Sequence, residues 1–373
     1  MGKSSPKVEK LNQLSGRPVY VDLIRTIAIV GVILLHAAGS WITTPQQMST
    51  LNFLDGASWA VVDIYQSLAR ICVPLFIMLT GALLLQPEKT ESLSAFFKKR
   101  WARIGLPFLF WGAAYFVWDF LVIKIPFTLG TIIQGILNGP YTQFWYLYVL
   151  IGLYLLTPIL RIFLAKADQT TIKYFIVLSF LGLAIAPVLR SAVPYTLNSN
   201  VFTITGYVGY FVLGLYLLTV RIRPKTLLIS VFLGISLTAA LTYVLAATIG
   251  GTNMYLFQQY FSPSIILASV AVFMLLLKIQ PPSFNGDRSN SPQVELSKIN
   301  KLIKVISENT LAIFLFHVML LESLERGYFG FAINRLTLNP IIEVPLITVI
   351  VLFVSLGVVV LLKKIPYVKK LIG

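Results

Sequence analysis

The sequence predicts an all-α, polytopic membrane protein. Of its 373 residues, 57% are hydrophobic and only 12% are charged, a composition far from that of a soluble domain. Apolar runs of about 20 residues recur along nearly the whole chain, and each is long enough to cross a bilayer as a helix. The runs are continuous rather than alternating, which argues against a transmembrane β-barrel.

About ten transmembrane helices are predicted, all within one membrane domain at 20–362. In chain order the spans lie at 20–41, 64–85, 105–123, 144–163, 173–189, 204–220, 226–248, 259–278, 303–323 and 341–362. Residues 1–19 and 363–373 are polar or basic and are predicted to be tails. The segment at about 280–300 is polar and contains proline, so we predict a mobile loop there.

The distribution of positive charge predicts the topology. The chain has a net charge of +16 and 30 lysines and arginines, of which 24 fall in segments on the same side as the N-terminus. The alternate segments hold four, and the remaining two, Arg25 and Arg70, lie inside spans. Positive residues concentrate on the cytoplasmic side of membrane proteins, so both termini are predicted to be cytoplasmic. Topology thus accounts for the basic charge, and we expect membrane lipids rather than nucleic acid as partners.

Cysteine content limits the chemistry further. Cys72 is the only cysteine, and it lies in an apolar stretch. A disulfide within the chain and a cysteine-rich metal site are therefore excluded, and no metal is expected.

Two ionisable residues stand out in the first span. Arg25 and His36 are 11 residues apart with no charged residue between them. Eleven residues make about three helical turns, so the two side chains share one face and lie roughly 16 Å apart along the axis. Ionisable side chains inside a bilayer are costly, so this pair indicates a functional site.

Depth in the membrane divides the polar residues into two groups. His36 lies near the outer end of span one, Arg70 near the outer end of span two, and His317 past the midplane of span nine. Arg25 lies near the inner end of span one, at the level of the basic segment FFKKRWARIGLP, which holds Arg100 and Arg103. We therefore predict a basic inner mouth and an imidazole-bearing outer half.

Each of these residues also has a simpler explanation. Arg25 could snorkel to the inner headgroups with Asp22 as its partner, and Arg70 could pair with Asp63 or Asp119 at the outer surface. The inner basic residues could serve topology alone. Either histidine could form a hydrogen bond between helices. These alternatives remain open from the sequence.

The outer group suits acyl transfer to a hydroxyl. Burial and a neighbouring guanidinium both disfavour a charged imidazole, so His36 is expected to be neutral and able to act as a general base. Arg70 beside it could stabilise a developing oxyanion. The inner arginines suit the phosphates of a nucleotide-bearing donor, because guanidinium binds phosphate in a bidentate manner.

Five segments carry a resemblance to a known family. Arg25 and His36 form R-x10-H inside YVDLIRTIAIVGVILLH, and Arg100 and Arg103 form R-x-x-R inside KKRWARIGLP. They are accompanied by ARICVPLFIMLTGALLL (69–85, with Arg70), FWYLYVLIGLYLLTPIL (144–160) and ENTLAIFLFHVML (308–320, with His317). With these segments in this order, the chain resembles the integral-membrane acyltransferase 3 family, in particular the branch of the enterobacterial common antigen O-acetyltransferase.

The resemblance implies an O-acyltransferase of the cytoplasmic membrane. Such an enzyme takes an acyl group, usually acetyl, from cytoplasmic acyl-CoA and transfers it to a hydroxyl of a cell-envelope saccharide or lipid-linked glycan. The resemblance also implies that His36 is essential and that Arg25 is the arginine paired with it. We expect Arg70 and His317 to belong to the same catalytic site, and Arg25, Arg100 and Arg103 to bind the donor.

A secondary transporter or flippase is the competing interpretation. In that case Arg25 and Arg70 would be counter-charges for an anionic substrate. Transporters are often built from two inverted halves with broken helices at corresponding positions, and no such pairing is evident in the sequence.

Overall fold

The computed structural model describes residues 18–39, 53–86, 91–126, 128–192, 206–248, 251–279, 293–333 and 339–373, and every regular element within these ranges is helical. The α-helices, in chain order, are α1 Val19–Gly39, α2 Phe53–Ala69, α3 Cys72–Leu84, α4 Leu93–Arg100, α5 Leu106–Trp118, α6 Leu129–Asn138, α7 Trp145–Lys166, α8 Gln169–Ala192, α9 Gly206–Leu217, α10 Pro224–Thr248, α11 Pro263–Leu277, α12 Gln293–Glu308, α13 Thr310–Glu325, α14 Pro340–Leu362 and α15 Pro366–Leu371. Short π-helical segments at Trp101–Gly105 and Asp119–Ile123 flank α5, and 3₁₀ segments lie at Thr142–Phe144 and Gly251–Gln258.

The helices form a multi-pass membrane protein. Within the described ranges, seven helical stretches are long and apolar enough to cross a membrane, and the bent pair Lys298–Glu308 and Thr310–Glu325 would make an eighth. Two shorter apolar helices are α6 and α9. Each of the ten predicted spans falls on a helix, so the all-helical membrane fold is confirmed, while the count of ten and the orientation of the termini remain predictions.

Several spans differ from the continuous rods that the sequence predicts. The second span begins earlier, at Ala57, and is interrupted by a turn at Arg70 and Ile71 between α2 and α3. The third also begins earlier, at Leu93, so the segment containing Arg100 and Arg103 is helical rather than a loop. The ninth bends by 77° at Asn309.

The first helix lies at the centre of the bundle. Helix α1 packs against α2, α3, α11, α12, α13 and α14. Ile24, Ala28, Ile29 and Ile33 on it are fully buried. Arg25 and His36 therefore project from a helix that packs against six others.

Glycines allow α3 and α9 to approach each other closely. A Cβ atom on Gly81 would lie 1.8 Å from the carbonyl oxygen of Phe211, and one on Gly214 would lie 1.9 Å from that of Met78. Small residues at helix contacts let the backbones meet, which is a common way of packing helices in membranes. No side chain fits at either position without separating the helices.

Helix α12 covers one end of α1. Ser307 donates a hydrogen bond to Asp22 (2.6 Å), and Thr26 donates one to the carbonyl of Ile303 (3.2 Å). The helix begins at Gln293, so the last part of the segment predicted as a mobile loop is helical. Residues 280–292 lie outside the described residues.

Candidate active site

The two histidines of the chain meet in the middle of the bundle. His36 on α1 and His317 on α13 have ring centroids 5.1 Å apart, and their ring planes are inclined by 78°. His317 is fully buried, whereas His36 is only partly buried. The depth argument expected these rings at one level, and the structure brings them into edge-to-face contact.

Hydrogen bonding sets the tautomer of His317. Its Nδ1 atom lies 2.7 Å from the carbonyl oxygen of Phe314, one turn earlier in α13. A carbonyl can only accept, so Nδ1 carries the proton and, in the neutral ring, Nε2 carries a lone pair. That Nε2 atom is buried and has no hydrogen-bond partner among the described residues. The fold thus holds an unpartnered acceptor beside His36.

Polar side chains from neighbouring elements fix α13 at this depth. Tyr115 on α5 donates a hydrogen bond to the carbonyl of Leu315 (2.8 Å), and the amide of Gln143 donates to the same oxygen (3.3 Å). Tyr115 and Gln143 are both buried. Since Leu315 is two residues from His317, these bonds restrict how the histidine can move.

Arg70 lies at the break between α2 and α3, close enough to His36 to act on it electrostatically. Its Nη2 atom donates to the side-chain oxygens of Gln66 (3.2 Å) and Gln258 (3.4 Å). Its guanidinium also lies 5.7 Å from the ring centre of Tyr260. The turn between the helices therefore places a cation within electrostatic range of His36.

An amide separates Arg70 from the nearest carboxylate. Gln258 donates to Asp63 (2.7 Å) while it accepts from Arg70, and Ser67 also donates to Asp63 (3.3 Å). The pairing of Arg70 with Asp63 that the sequence left open is thus mediated by Gln258. Because the amide of Gln258 is neutral, no carboxylate is bonded directly to Arg70 at this contact.

The sequence contained a partial signal for this network. Asp63, Gln66, Ser67 and Arg70 are spaced three and four residues apart, which puts them on one face of a helix. A polar face inside an apolar span could have been recognised from this spacing. Gln258 could not, because it comes from a 3₁₀ segment nearly 200 residues later in the chain.

The three inner arginines converge on one cavity. Arg25, Arg100 and Arg103 all line a space of about 480 Å³ at the end of the bundle where α1 begins. Ser307 and Glu308, at the end of α12, line it as well. The sequence placed these arginines at one depth, and the structure brings them together. In particular, Arg25 faces this cavity inside the protein.

Aromatic rings hold Arg100 within the cavity wall. Its guanidinium lies 5.1 Å from the ring centre of Phe96 and 5.7 Å from that of Tyr154, distances at which cations and aromatic faces attract. Its Nε atom is buried and finds no acceptor among the described residues. Arg100 can therefore donate further hydrogen bonds to an anion in the cavity.

Three aromatic residues lie between the cavity and the histidines. Phe76, Tyr146 and Phe314 line the cavity, and their rings follow each other at 6.1 Å and 5.4 Å. The ring of Phe314 lies 5.9 Å from that of His317. His36 and His317 are not among the described residues that line the cavity, so this aromatic layer separates the arginine cavity from the histidine pair.

The site contains both groups of residues that the sequence predicts. The arginine group lies at the beginning of α1 and the histidine group lies near its end. A family model described as an acyltransferase domain matches residues 19–362, from the first residue of α1 to the last residue of α14. No match is found among the curated proteins or among the solved structures. Because the family model covers nearly the whole chain, the protein belongs to the acyltransferase 3 family of membrane acyltransferases.

Proposed function

We propose that the protein is an O-acyltransferase of the cytoplasmic membrane. It takes an acyl group, with acetyl-CoA as the donor, and transfers it to a hydroxyl of a cell-envelope saccharide or lipid-linked glycan. The proposal rests on one observation, which is that the two ends of α1 have different chemical surroundings. One end of this central helix places Arg25 in an arginine-lined cavity, and the other places His36 against His317 and within electrostatic range of Arg70.

The cavity suits an acyl-CoA donor. Three guanidinium groups match the phosphates of its nucleotide, since arginine binds phosphate in a fixed bidentate geometry. Apolar side chains of Leu83, Leu150 and Tyr146 line the same cavity and suit the less polar arm that carries the thioester. In the proposal the donor enters from the cytoplasmic side, where the positive-inside distribution predicts that these arginines lie.

The histidine pair suits the removal of a proton from the acceptor. In the proposed reaction His36 takes the hydroxyl proton while the hydroxyl oxygen attacks the thioester carbon. Arg70 stabilises the negative charge that develops on the carbonyl oxygen. When the carbon–sulfur bond breaks, the imidazolium returns its proton to the leaving thiolate. The products are the acyl ester and free CoA, and His36 ends neutral.

His317 supports the base in this scheme. The hydrogen bond from Nδ1 to Phe314 leaves a lone pair on Nε2 of His317. This lone pair can accept a hydrogen bond or a proton from the neighbouring ring of His36. The partly buried His36 is the ring that meets the acceptor. The layer of Phe76, Tyr146 and Phe314 has to open for the thioester to reach His36, so the proposal requires rotation of these rings.

The test is acyl transfer by purified protein in liposomes. Labelled acetyl-CoA and an envelope glycan fraction should yield labelled glycan with the wild type. His36→Gln, which keeps a polar side chain of similar length, should lower kcat by about 10²- to 10⁴-fold, the usual contribution of a general base. Full activity in His36→Gln would show that another group is the base.

An anion transporter is the second candidate. Transport sites often lie at discontinuous helices, and the span Ala57–Leu84 breaks beside Arg70. Flux of an anionic glycan precursor through proteoliposomes in the absence of acyl-CoA would favour this function. Binding of CoA that depends on Arg100 and Arg103 would favour the acyltransferase.

A further inference from the structure

A second cluster of charged residues adjoins the arginine cavity. Glu91, just before α4, accepts a hydrogen bond from Lys99 (2.9 Å) and lies 3.5 Å from Nη2 of Arg161. The side chains of Glu91 and Arg161 are only 16% and 13% exposed, whereas that of Lys99 is 64% exposed. We call Glu91, Lys99 and Arg161 the mouth cluster. One carboxylate here faces two cations from different helices.

Phe96 links the mouth cluster to the cavity arginines. This buried ring has the guanidinium of Arg100 5.1 Å from its centre and that of Arg161 5.2 Å from it. The two guanidinium groups therefore lie near one ring, held by cation–π attraction. Arg100 lines the cavity, so Arg161 is its neighbour one ring away.

Helix α7 makes the two regions continuous. Tyr146, Leu150 and Tyr154 line the cavity along one face of this helix. Arg161 comes seven residues after Tyr154, so it lies on the same face, about 10 Å further along the axis. Its Nε atom donates to the carbonyl of Leu84 (2.8 Å), and Leu84 itself lines the cavity. The mouth cluster thus extends the cavity away from the histidines.

Among the described residues, three cations, Lys99, Arg161 and Arg100, act on the carboxylate of Glu91. The hydrogen bond from Lys99, followed by the charges of Lys99, Arg161 and Arg100, holds the pKa of Glu91 below its usual range. Glu91 is therefore ionised at neutral pH, and its single carboxylate pairs with both Lys99 and Arg161. A phosphate monoester carries close to two negative charges at neutral pH, so it can pair with both of these cations when Glu91 moves away.

We propose that Arg161 and Lys99 form a second phosphate subsite adjoining the arginine cavity, and that Glu91 occupies it as an internal anion until a phosphate monoester displaces it. The proposal rests on the acyl-CoA donor proposed above, whose ribose 3′-phosphate is the monoester. The subsite would make the enzyme prefer CoA over CoA that lacks this phosphate.

The experiment compares the binding of CoA and 3′-dephospho-CoA. Purified full-length protein in phosphatidylcholine nanodiscs is titrated with each ligand by calorimetry, and the ratio of the two Kd values measures selectivity for the 3′-phosphate. Arg161→Gln should weaken CoA binding about tenfold and leave 3′-dephospho-CoA binding unchanged, because only one ligand has the partner of Arg161. Lys166→Gln, an exposed lysine on the same helix, is the matched control and should leave both unchanged.

Two further variants guard against loss of folding in Arg161→Gln. Lys99→Gln changes a largely exposed side chain and should reduce the selectivity several-fold. Glu91→Gln removes the internal anion and should tighten CoA binding several-fold without changing 3′-dephospho-CoA binding. The thermal unfolding temperature of every variant is measured alongside.

The outcomes separate the subsite from the proposed function. If the wild type binds CoA and 3′-dephospho-CoA equally well, the donor assignment stands and the subsite is wrong. Binding of neither ligand would overturn the donor assignment together with the subsite. A lipid headgroup is the other source of a phosphate monoester. Competition by phosphatidic acid that disappears in Arg161→Gln, without any preference for CoA, would assign the cluster to lipid and contradict the proposal.

Discussion

At the residue scale, the properties of the site depend on which atom of each side chain is already bonded. His317 has its Nδ1 atom tied to a backbone carbonyl, and Arg70 has its charge separated from Asp63 by the amide of Gln258. Both arrangements leave the reactive part of the side chain available near His36. They also explain why residue type alone did not define the roles, since hydrogen bonds between distant segments set them.

His317 should contribute to the chemical step and not to donor binding. His317→Phe keeps a ring of similar size but removes the Nε2 acceptor, so we expect kcat to fall about 10²-fold. The affinity for CoA should stay within about twofold, because His317 does not line the cavity. Arg25→Gln is the matched comparison, and it should weaken CoA binding. If His317→Phe retains wild-type kcat, its role is packing alone.

The pH dependence of donor selectivity should follow the titration of the 3′-phosphate of the ligand and not that of Glu91. The pKa of Glu91 is lowered, so its charge and the small stabilisation from its ion pairs are fully present at pH values above the usual glutamate pKa. Both are lost only when the pH falls through the lowered pKa, below the usual glutamate range. A phosphate monoester loses its second charge near pH 6. Selectivity for CoA over 3′-dephospho-CoA should therefore fall as the pH drops through about 6. The same midpoint is expected in Glu91→Gln, and a midpoint shifted in that variant would contradict this.

At the element scale, the closest helix contact should be the least tolerant of change. Gly81→Ala would bring a Cβ atom to 1.8 Å from the carbonyl oxygen of Phe211 on α9, and overpacking of this kind costs about 1–3 kcal/mol or more. We expect a clear drop in the thermal unfolding temperature in detergent. Gly152→Ala on α7 meets nothing within 4 Å and should be neutral or slightly stabilising. Equal unfolding temperatures would contradict the contact.

The sequence predicts where helices lie better than where they break. Each of the ten segments predicted from apolar length falls on helix, because bilayer thickness imposes that length on a spanning segment. The turn at Arg70 has a sequence signal that was missed: Pro74 has no N–H to bond to the carbonyl of Arg70, four residues earlier, and this interrupts the helix. The bend at Asn309 has no proline in the following turn, and both helices beside it, α12 and α13, pack against α1. The early start of the third span was missed because four basic residues lower the hydropathy of its first part: Lys98, Lys99, Arg100 and Arg103. Low hydropathy does not prevent these residues from forming a helix.

At the scale of the whole molecule, the two ends of α1 have different chemistry. The depth of each ionisable residue could be read from the sequence, and it correctly grouped Arg25 with Arg100 and Arg103 and His36 with His317. The aromatic layer between the groups could not be predicted, because Phe76, Tyr146 and Phe314 come from three separate spans. Their rings look like ordinary core residues until the helices are assembled.

The different chemistry of the two ends of α1 predicts that the reaction is two-sided. In the proposed reaction, a donor bound by the arginines and an acceptor deprotonated by His36 approach from opposite faces of the membrane. In that reaction the aromatic layer keeps the two substrates apart between turnovers.

The most direct test is acyl transfer across a sealed membrane. Wild-type protein is reconstituted into proteoliposomes, its orientation is established by protease accessibility of the tails, and labelled acetyl-CoA is confined to one side with the glycan acceptor on the other. We expect labelled acceptor only when acetyl-CoA is on the side of the tails and the acceptor is opposite, and none with His36→Gln. Equal labelling with both substrates on the side of the tails, and none across the membrane, would contradict the account.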